Sequence, residues 1–233
     1  MDEFFHVISR GVDKRKIFMD NKDYFRFIHD LYEFNDENWI ESSSYNFSRY
    51  QQINDPRNRQ NLRERKLLVQ IHSFCLMPNH YHLLLSPLME NGIATFMRKL
   101  NAGYAKYFNI KHERTGALFE GRYKRILLET DAHFKHLPLY IHLNPLDLKF
   151  PEWRTINLPN KTIRGALEYL RTYRWSSHLD YLGLKNFPSV TYRSLYSKLW
   201  KDTADYENHL TTWLESPKIS KIKELLTTYE VGN

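Results

Sequence analysis

The sequence predicts an α+β protein, a small antiparallel ferredoxin-like sheet with helices packed on it, followed by a small helical C-terminal extension. Three observations lead there. Short β-rich runs and longer helical stripes follow in the order β, α, β, β, α, β, α, as a ferredoxin-like sheet requires. With 42% hydrophobic residues in 233, the chain can bury one good core, or a core plus a small appendage. Beyond Phe150, aromatic-rich helical segments form a group of their own.

The first strand is Phe4 to Ser9. From Asp23 to Phe34, Tyr24, Phe27, Ile28, Leu31 and Tyr32 recur at helical spacing. Leu67 to Leu76 and His82 to Leu85 are apolar β-rich runs, and Arg125 to Glu129 is a fourth. Between the third and fourth, Ile93, Phe96, Met97, Leu100, Tyr104 and Phe108 lie on one stripe of a helix, so Tyr104 belongs to the core. Thr130-Asp131 signals another helix start, with Tyr140 and Asn144 near its far end. Pro138 stands inside that helix; an interior proline costs about 3 kcal/mol, so the helix is expected to start late or bend. Ile163 to Tyr173, Tyr192 to Trp200, Asp205 to Trp213 and Ile219 to Tyr229 are the helical segments of the extension. The expected division is 1–150 and 151–233. Within the first part, Asn35 to Lys66 is a polar insertion, either a mobile loop or one that orders on a substrate.

A net charge of +7 and a pI near 9.3 favour an anionic partner. The single cysteine, Cys75, sits in an apolar run and is expected to be a buried free thiol of a reducing cytoplasm. No stretch approaches the 18 or so apolar residues of a membrane span, and Met1-Asp2-Glu3 does not open a signal peptide, so a cytoplasmic protein is expected. A glycine-rich phosphate loop of the P-loop kind is absent.

The most informative stretch is Met77-Pro78-Asn79-His80-Tyr81-His82-Leu83-Leu84-Leu85. On a strand His80 and His82 share a face while Tyr81 points the other way. Two neutral imidazoles so placed can hold a divalent cation and leave it open positions; two ordinary strand histidines would look the same. Tyr140 and Asn144 are one helical turn apart and project together, offering a phenol nucleophile and an amide oxygen, or equally a core aromatic and a C-terminal cap before Pro145.

Taken in order, Met-Pro-Asn-His80-Tyr-His82-Leu-Leu-Leu, Gly121-Arg122-Tyr123-Lys124, Tyr140-Ile-His-Leu-Asn144-Pro145 and Trp175-Ser176-Ser177 resemble the REP-associated tyrosine transposases, which are single-tyrosine HUH transposases. Phe5-His6-Val7-Ile8-Ser9-Arg10-Gly11 is similar to their first strand and turn, and the resemblance spans roughly residues 4 to 183. It implies the HUH endonuclease fold, with His80, His82 and Asn144 as ligands of Mg²⁺ or Mn²⁺ and Tyr140 as nucleophile. It further implies single-stranded DNA carrying a REP-like hairpin as substrate, cut and rejoined through a 5′-phosphotyrosine, in DNA transposition and recombination.

Basic residues interleaved with aromatics suit unpaired nucleic acid. Arg98, Lys99, Lys106, Lys111, Arg114, Arg122, Lys124 and Arg125 form one such run, and Arg10, Lys14, Arg15 and Lys16 a second. His6 and His72 are expected to be packed or to support the ligands from behind, and His142 to point away from the nucleophile. The protein is expected to act as a monomer or homodimer. Two other readings remain: a non-catalytic hairpin-binding protein on the same fold, and an RNA-directed one.

Overall fold

The computed structural model describes residues 3–38 and 65–215. Four strands, β1 (Phe5–Arg10), β2 (Val69–Met77), β3 (His80–Pro87) and β4 (Lys124–Leu127), form one sheet in the order β2-β3-β1-β4, with every neighbouring pair antiparallel. Helix α1 (Asn21–Glu33) joins β1 to β2, and α2 (Gly92–Lys111) joins β3 to β4. This is the ferredoxin-like order expected from the sequence, with β3 and its histidines inside the sheet. Then come α3 (Asp131–Leu143), 3-10 turns at Asn144–Leu148 and Pro151–Arg154, and α4 (Asn160–Thr172), α5 (His178–Tyr181), α6 (Ser194–Leu199) and α7 (Thr203–Glu215).

Strand alternation gives the sheet two different faces. Tyr81, Leu83 and Leu85 of β3, with Val7 of β1 and Phe74 and Leu76 of β2, join the core formed with α1 and α2. Cys75, Met77 and Leu84 point the other way and pack with Leu137, Tyr140 and Ile141 of α3, and with Trp153, Leu170, Trp200, Tyr206 and Trp213 beyond it. This second core draws side chains from both sides of residue 150. A register shift between Ile71 and Ser73 lets β2 keep its apolar residues on the correct sides. Cys75 is buried, as expected, and burial pushes its thiol well above the usual range.

Tyr104 is fully buried and its Oη donates to the carbonyl of Ile17 at 2.5 Å. Tyr104→Ala should therefore cost about 3–5 kcal/mol and Tyr104→Phe about 1–3 kcal/mol in urea unfolding, the first for a large cavity and the second for an orphaned carbonyl. Wild-type stability in both would place Tyr104 outside the core.

Two expectations are corrected or bounded. Helix α3 does not start late: the Thr130 side chain accepts from His133 N at 3.2 Å, and the helix runs from Asp131 through the buried Pro138 to Leu143. N-terminal capping and the burial of Leu137, Leu139 and Tyr140 offset the bond that proline cannot make. The expected helix Ile219 to Tyr229 and most of the polar insertion lie outside the described residues. The insertion's two ends do meet. Glu37 N donates to Lys66 O at 2.8 Å, and Asn35 Oδ1 accepts from Leu68 N and Val69 N at 3.1 and 3.0 Å. Among the described residues, no helix is long and apolar enough to cross a membrane.

Candidate active site

His80 and His82 stand on the sheet face that α3 covers, their ring centroids 4.9 Å apart. Tyr140 reaches toward them from α3, with its ring 6.1 Å from His82 and 6.3 Å from His6. His6 comes from the adjacent strand β1, and its Nε2 lies 3.0 Å from His82 Nδ1. That contact commits Nδ1, so a cation held by His82 would be held through Nε2. His80 Nδ1 is likewise 2.7 Å from the side-chain oxygen of Asn79. His6 thus supports a candidate ligand from behind.

Asn144 is the first residue past α3, where its amide does two jobs. Nδ2 donates to the Tyr140 carbonyl at 2.8 Å, closing the helix end, while Oδ1 accepts from Arg154 Nη2 at 2.8 Å. The cap and the candidate ligand are one side chain. The guanidinium of Arg154 also donates from Nη1 to Tyr140 Oη at 2.9 Å. Asp147 grips its other edge with Oδ1 on Nε at 2.7 Å and Oδ2 on Nη2 at 2.8 Å, and also accepts from Trp153 Nε1 at 2.7 Å.

Burial, above all, lowers the histidine pKa values: His6 and His80 to about 3, and His82 well below its usual range, with Arg154 and Arg10 adding to the effect on the last two. All three rings are neutral near pH 7, the state a metal requires of imidazole. Among the described residues, no three His, Cys, Asp or Glu side chains stand together as a metal site, so the third donor would have to be an amide such as that of Asn144. The donor chemistry, two neutral imidazoles and one amide oxygen, suits a divalent cation, and in this structure the amide oxygen is bonded to Arg154.

The basic residues separate by face. Arg10 is paired with His80 and Lys124 with Ile8, the residue paired with His82, so Arg10 and Lys124 share the histidine face. Arg125 lies on the opposite face, its guanidinium 5.0 Å from the Phe5 ring centre. Arg98, Lys99, Lys106 and Lys111 belong to α2, which packs on the other side of the sheet from the histidines. Lys111 is tied to Asp20 and Asp23 at 2.7 and 2.6 Å, and Lys99 to the carbonyls of Asp36, Glu37 and Asn38. Arg114 bonds Asn109 Oδ1 at 2.6 Å, whereas Lys14, Arg15, Lys16 and Arg122 are exposed beyond the sheet.

Sequence reasoning missed Arg154 and Asp147, although Tyr140, Asn144 and Asp147 at i, i+4 and i+7 do mark one helical face. It also assigned no chemistry to Trp175-Ser176-Ser177. The structure gives that motif a structural part. Ser177 Oγ accepts from Phe74 N at 2.9 Å and lies 2.7 Å from His142 Nε2; His142 Nδ1 meets Tyr206 Oη at 2.8 Å, which meets His178 Nδ1 at 2.8 Å. This buried relay ties α3, the helix that carries Tyr140, to β2 and α7, with His142 facing away from Tyr140's partners as expected. Trp175 stacks on Tyr24 with ring centres 4.6 Å apart, anchoring the segment to α1.

The fold and the cluster define a ferredoxin-like protein in which a strand-borne histidine pair faces a helix-borne tyrosine. Residues 56–144 match the family described as "Transposase IS200 like", and this stretch contains His80, His82, Tyr140 and Asn144. Over it the chain resembles the single-tyrosine transposases, as the motifs implied. No curated protein is significantly similar to the chain. Among solved structures, a REP-associated tyrosine transposase bound to a REP hairpin is similar at 11% identity and a TM-score of 0.47, over 83% of this chain and 87% of that one.

Proposed function

We propose that the protein is a metal-dependent single-stranded DNA transposase and endonuclease of the cytoplasm, which cleaves and rejoins hairpin-bearing DNA with Tyr140 as nucleophile. The observation that carries this reading is the Tyr140 ring 6.1 Å from the His82 ring, in a stretch that matches a transposase family. Tyr140 Oη would attack the scissile phosphorus, forming an Oη–P ester and breaking the P–O3′ bond. The phenolic proton is lost and the departing 3′ oxygen gains one. The ester keeps the energy of the broken bond, so a second 3′-OH can reverse the step on another strand without ATP. His80, His82 and Asn144 would hold Mg²⁺ or Mn²⁺, whose charge would draw electrons from the phosphate oxygens. Arg10 and Lys124, on the same face, would bind flanking phosphates. Residues 1–150 would form the catalytic domain and 151–233 a helical C-terminal extension, from whose first turn Trp153 and Arg154 reach the site.

The direct test incubates the protein and Mn²⁺ with a hairpin-bearing single strand and looks for a covalent protein–DNA adduct. The single strand should bind well above blunt duplex, and its affinity should fall steeply with salt, because phosphate contacts release counterions. Duplex or the matching RNA bound and cut as well as the DNA single strand would overturn the reading. Asn144→Ala should weaken cleavage and raise the Mn²⁺ concentration needed, since water replaces one neutral oxygen more easily than an imidazole. Unchanged Mn²⁺ dependence in that variant would remove Asn144 from the ligand set.

A further inference from the structure

We infer that Arg154, clamped by Asp147, is a positioning residue for the nucleophile: it fixes the phenol oxygen of Tyr140 and the amide oxygen of Asn144 in one arrangement. The inference rests on Tyr140 being the nucleophile.

The geometry is specific. One planar guanidinium donates from Nη1 to Tyr140 Oη at 2.9 Å and from Nη2 to Asn144 Oδ1 at 2.8 Å, while its Nε and Nη2 meet Asp147 through two bonds of 2.7 and 2.8 Å. A bidentate carboxylate holds both position and plane, which a lysine ammonium would not reproduce. The Arg154 side chain is only 17% exposed, and the turn that carries it, Pro151–Arg154, is fixed by the fully buried Trp153, whose indole also donates to Asp147. The guanidinium is therefore held from three sides before any substrate arrives.

This arrangement answers a problem in the proposed chemistry. Rings of His6, His82 and Trp153 surround the Tyr140 ring and set its plane, and a directional bond at the distal oxygen adds what ring contacts do not specify, the position of Oη itself. Arg154 supplies it. Displacement of a reacting atom by about 1 Å can cost on the order of 100-fold in rate, so a group fixing Oη acts on the chemical step rather than on DNA binding.

The experiment measures single-turnover adduct formation as a function of DNA concentration for wild type, Arg154→Ala, Arg154→Lys and Tyr140→Phe, with thermal melting of each. We expect the maximal rate of Arg154→Ala to fall about 100-fold, with little change in the half-saturating DNA concentration. Arg154→Lys should recover only part of the loss, while millimolar guanidinium added to Arg154→Ala should restore rate without raising its melting temperature. A residue that merely braced the fold would lose rate in proportion to folded protein and would show no rescue. Full rate in both Arg154 variants, or loss without rescue in a folded Arg154→Ala, overturns the positioning role while leaving Tyr140 as nucleophile. An adduct that persists on Tyr140→Phe overturns the reading beneath it; should Arg154→Ala fail to fold, full rate in Arg154→Lys still overturns the proposal.

Discussion

Tyr140→Phe is expected to abolish both strand cleavage and the covalent protein–DNA adduct while leaving affinity for single-stranded DNA nearly unchanged. Only the nucleophilic oxygen is removed; the ring stays packed among His6, His82 and Trp153, so the surface presented to DNA keeps its shape. Arg154 loses one acceptor but keeps Asp147 and Asn144, which limits the cost in stability to about 1–3 kcal/mol. Adduct yield by gel shift under denaturing conditions reads the first part and filter binding the second. A persisting adduct would move the nucleophile elsewhere in the chain.

His80→Ala and His82→Ala are each expected to eliminate cleavage at any Mg²⁺ or Mn²⁺ concentration, because two imidazoles are the strongest donors in the proposed set. They should differ in stability. His82 is fully buried and shares a 3.0 Å contact with His6, so its loss strands a buried ring nitrogen at about 1–3 kcal/mol. His80 is half-buried and bonds its own neighbour, Asn79, so its replacement should melt close to wild type. His80→Ala is thus the cleaner probe, with Mn²⁺ calorimetry as a second readout. Full wild-type activity in EDTA would end any metal role.

The parts of the structure legible in the sequence are those with local causes. The run Phe5–Arg10 and the stripe through Leu100 and Tyr104 follow from burying both faces of an inner strand and one side of a helix, and both elements stand where those patterns put them. The histidine pair and the Tyr140–Asn144 turn were readable for the same reason: strand and helix periods bring them onto one side. Arg154 was not. It reaches Tyr140 only because Trp153 buries itself beneath α3, a contact between segments that no periodicity connects. The placement of the α2 lysines was equally hidden, since charge density along a chain does not reveal which side of a sheet a helix will cover.

The hairpin joining β2 to β3 has a consequence for how such a protein can vary. Its two turn residues are stitched down: the Pro78 carbonyl accepts from Ile17 N and Phe18 N at 2.8 and 3.1 Å, and the Asn79 carbonyl from Gly11 N at 2.8 Å. Beyond it, even-numbered positions of β3 carry the histidines and odd-numbered ones fill a core. A one-residue slip of this strand, which a change of turn length invites, would exchange the two sets, driving Tyr81, Leu83 and Leu85 onto the face of Tyr140 and both imidazoles into hydrocarbon. Changes of residue type can be sampled one at a time along this strand, but changes of length cannot. Descendants of this gene should therefore accumulate insertions and deletions between Asn35 and Lys66, where a closed neck isolates them, and almost none between Met77 and His80.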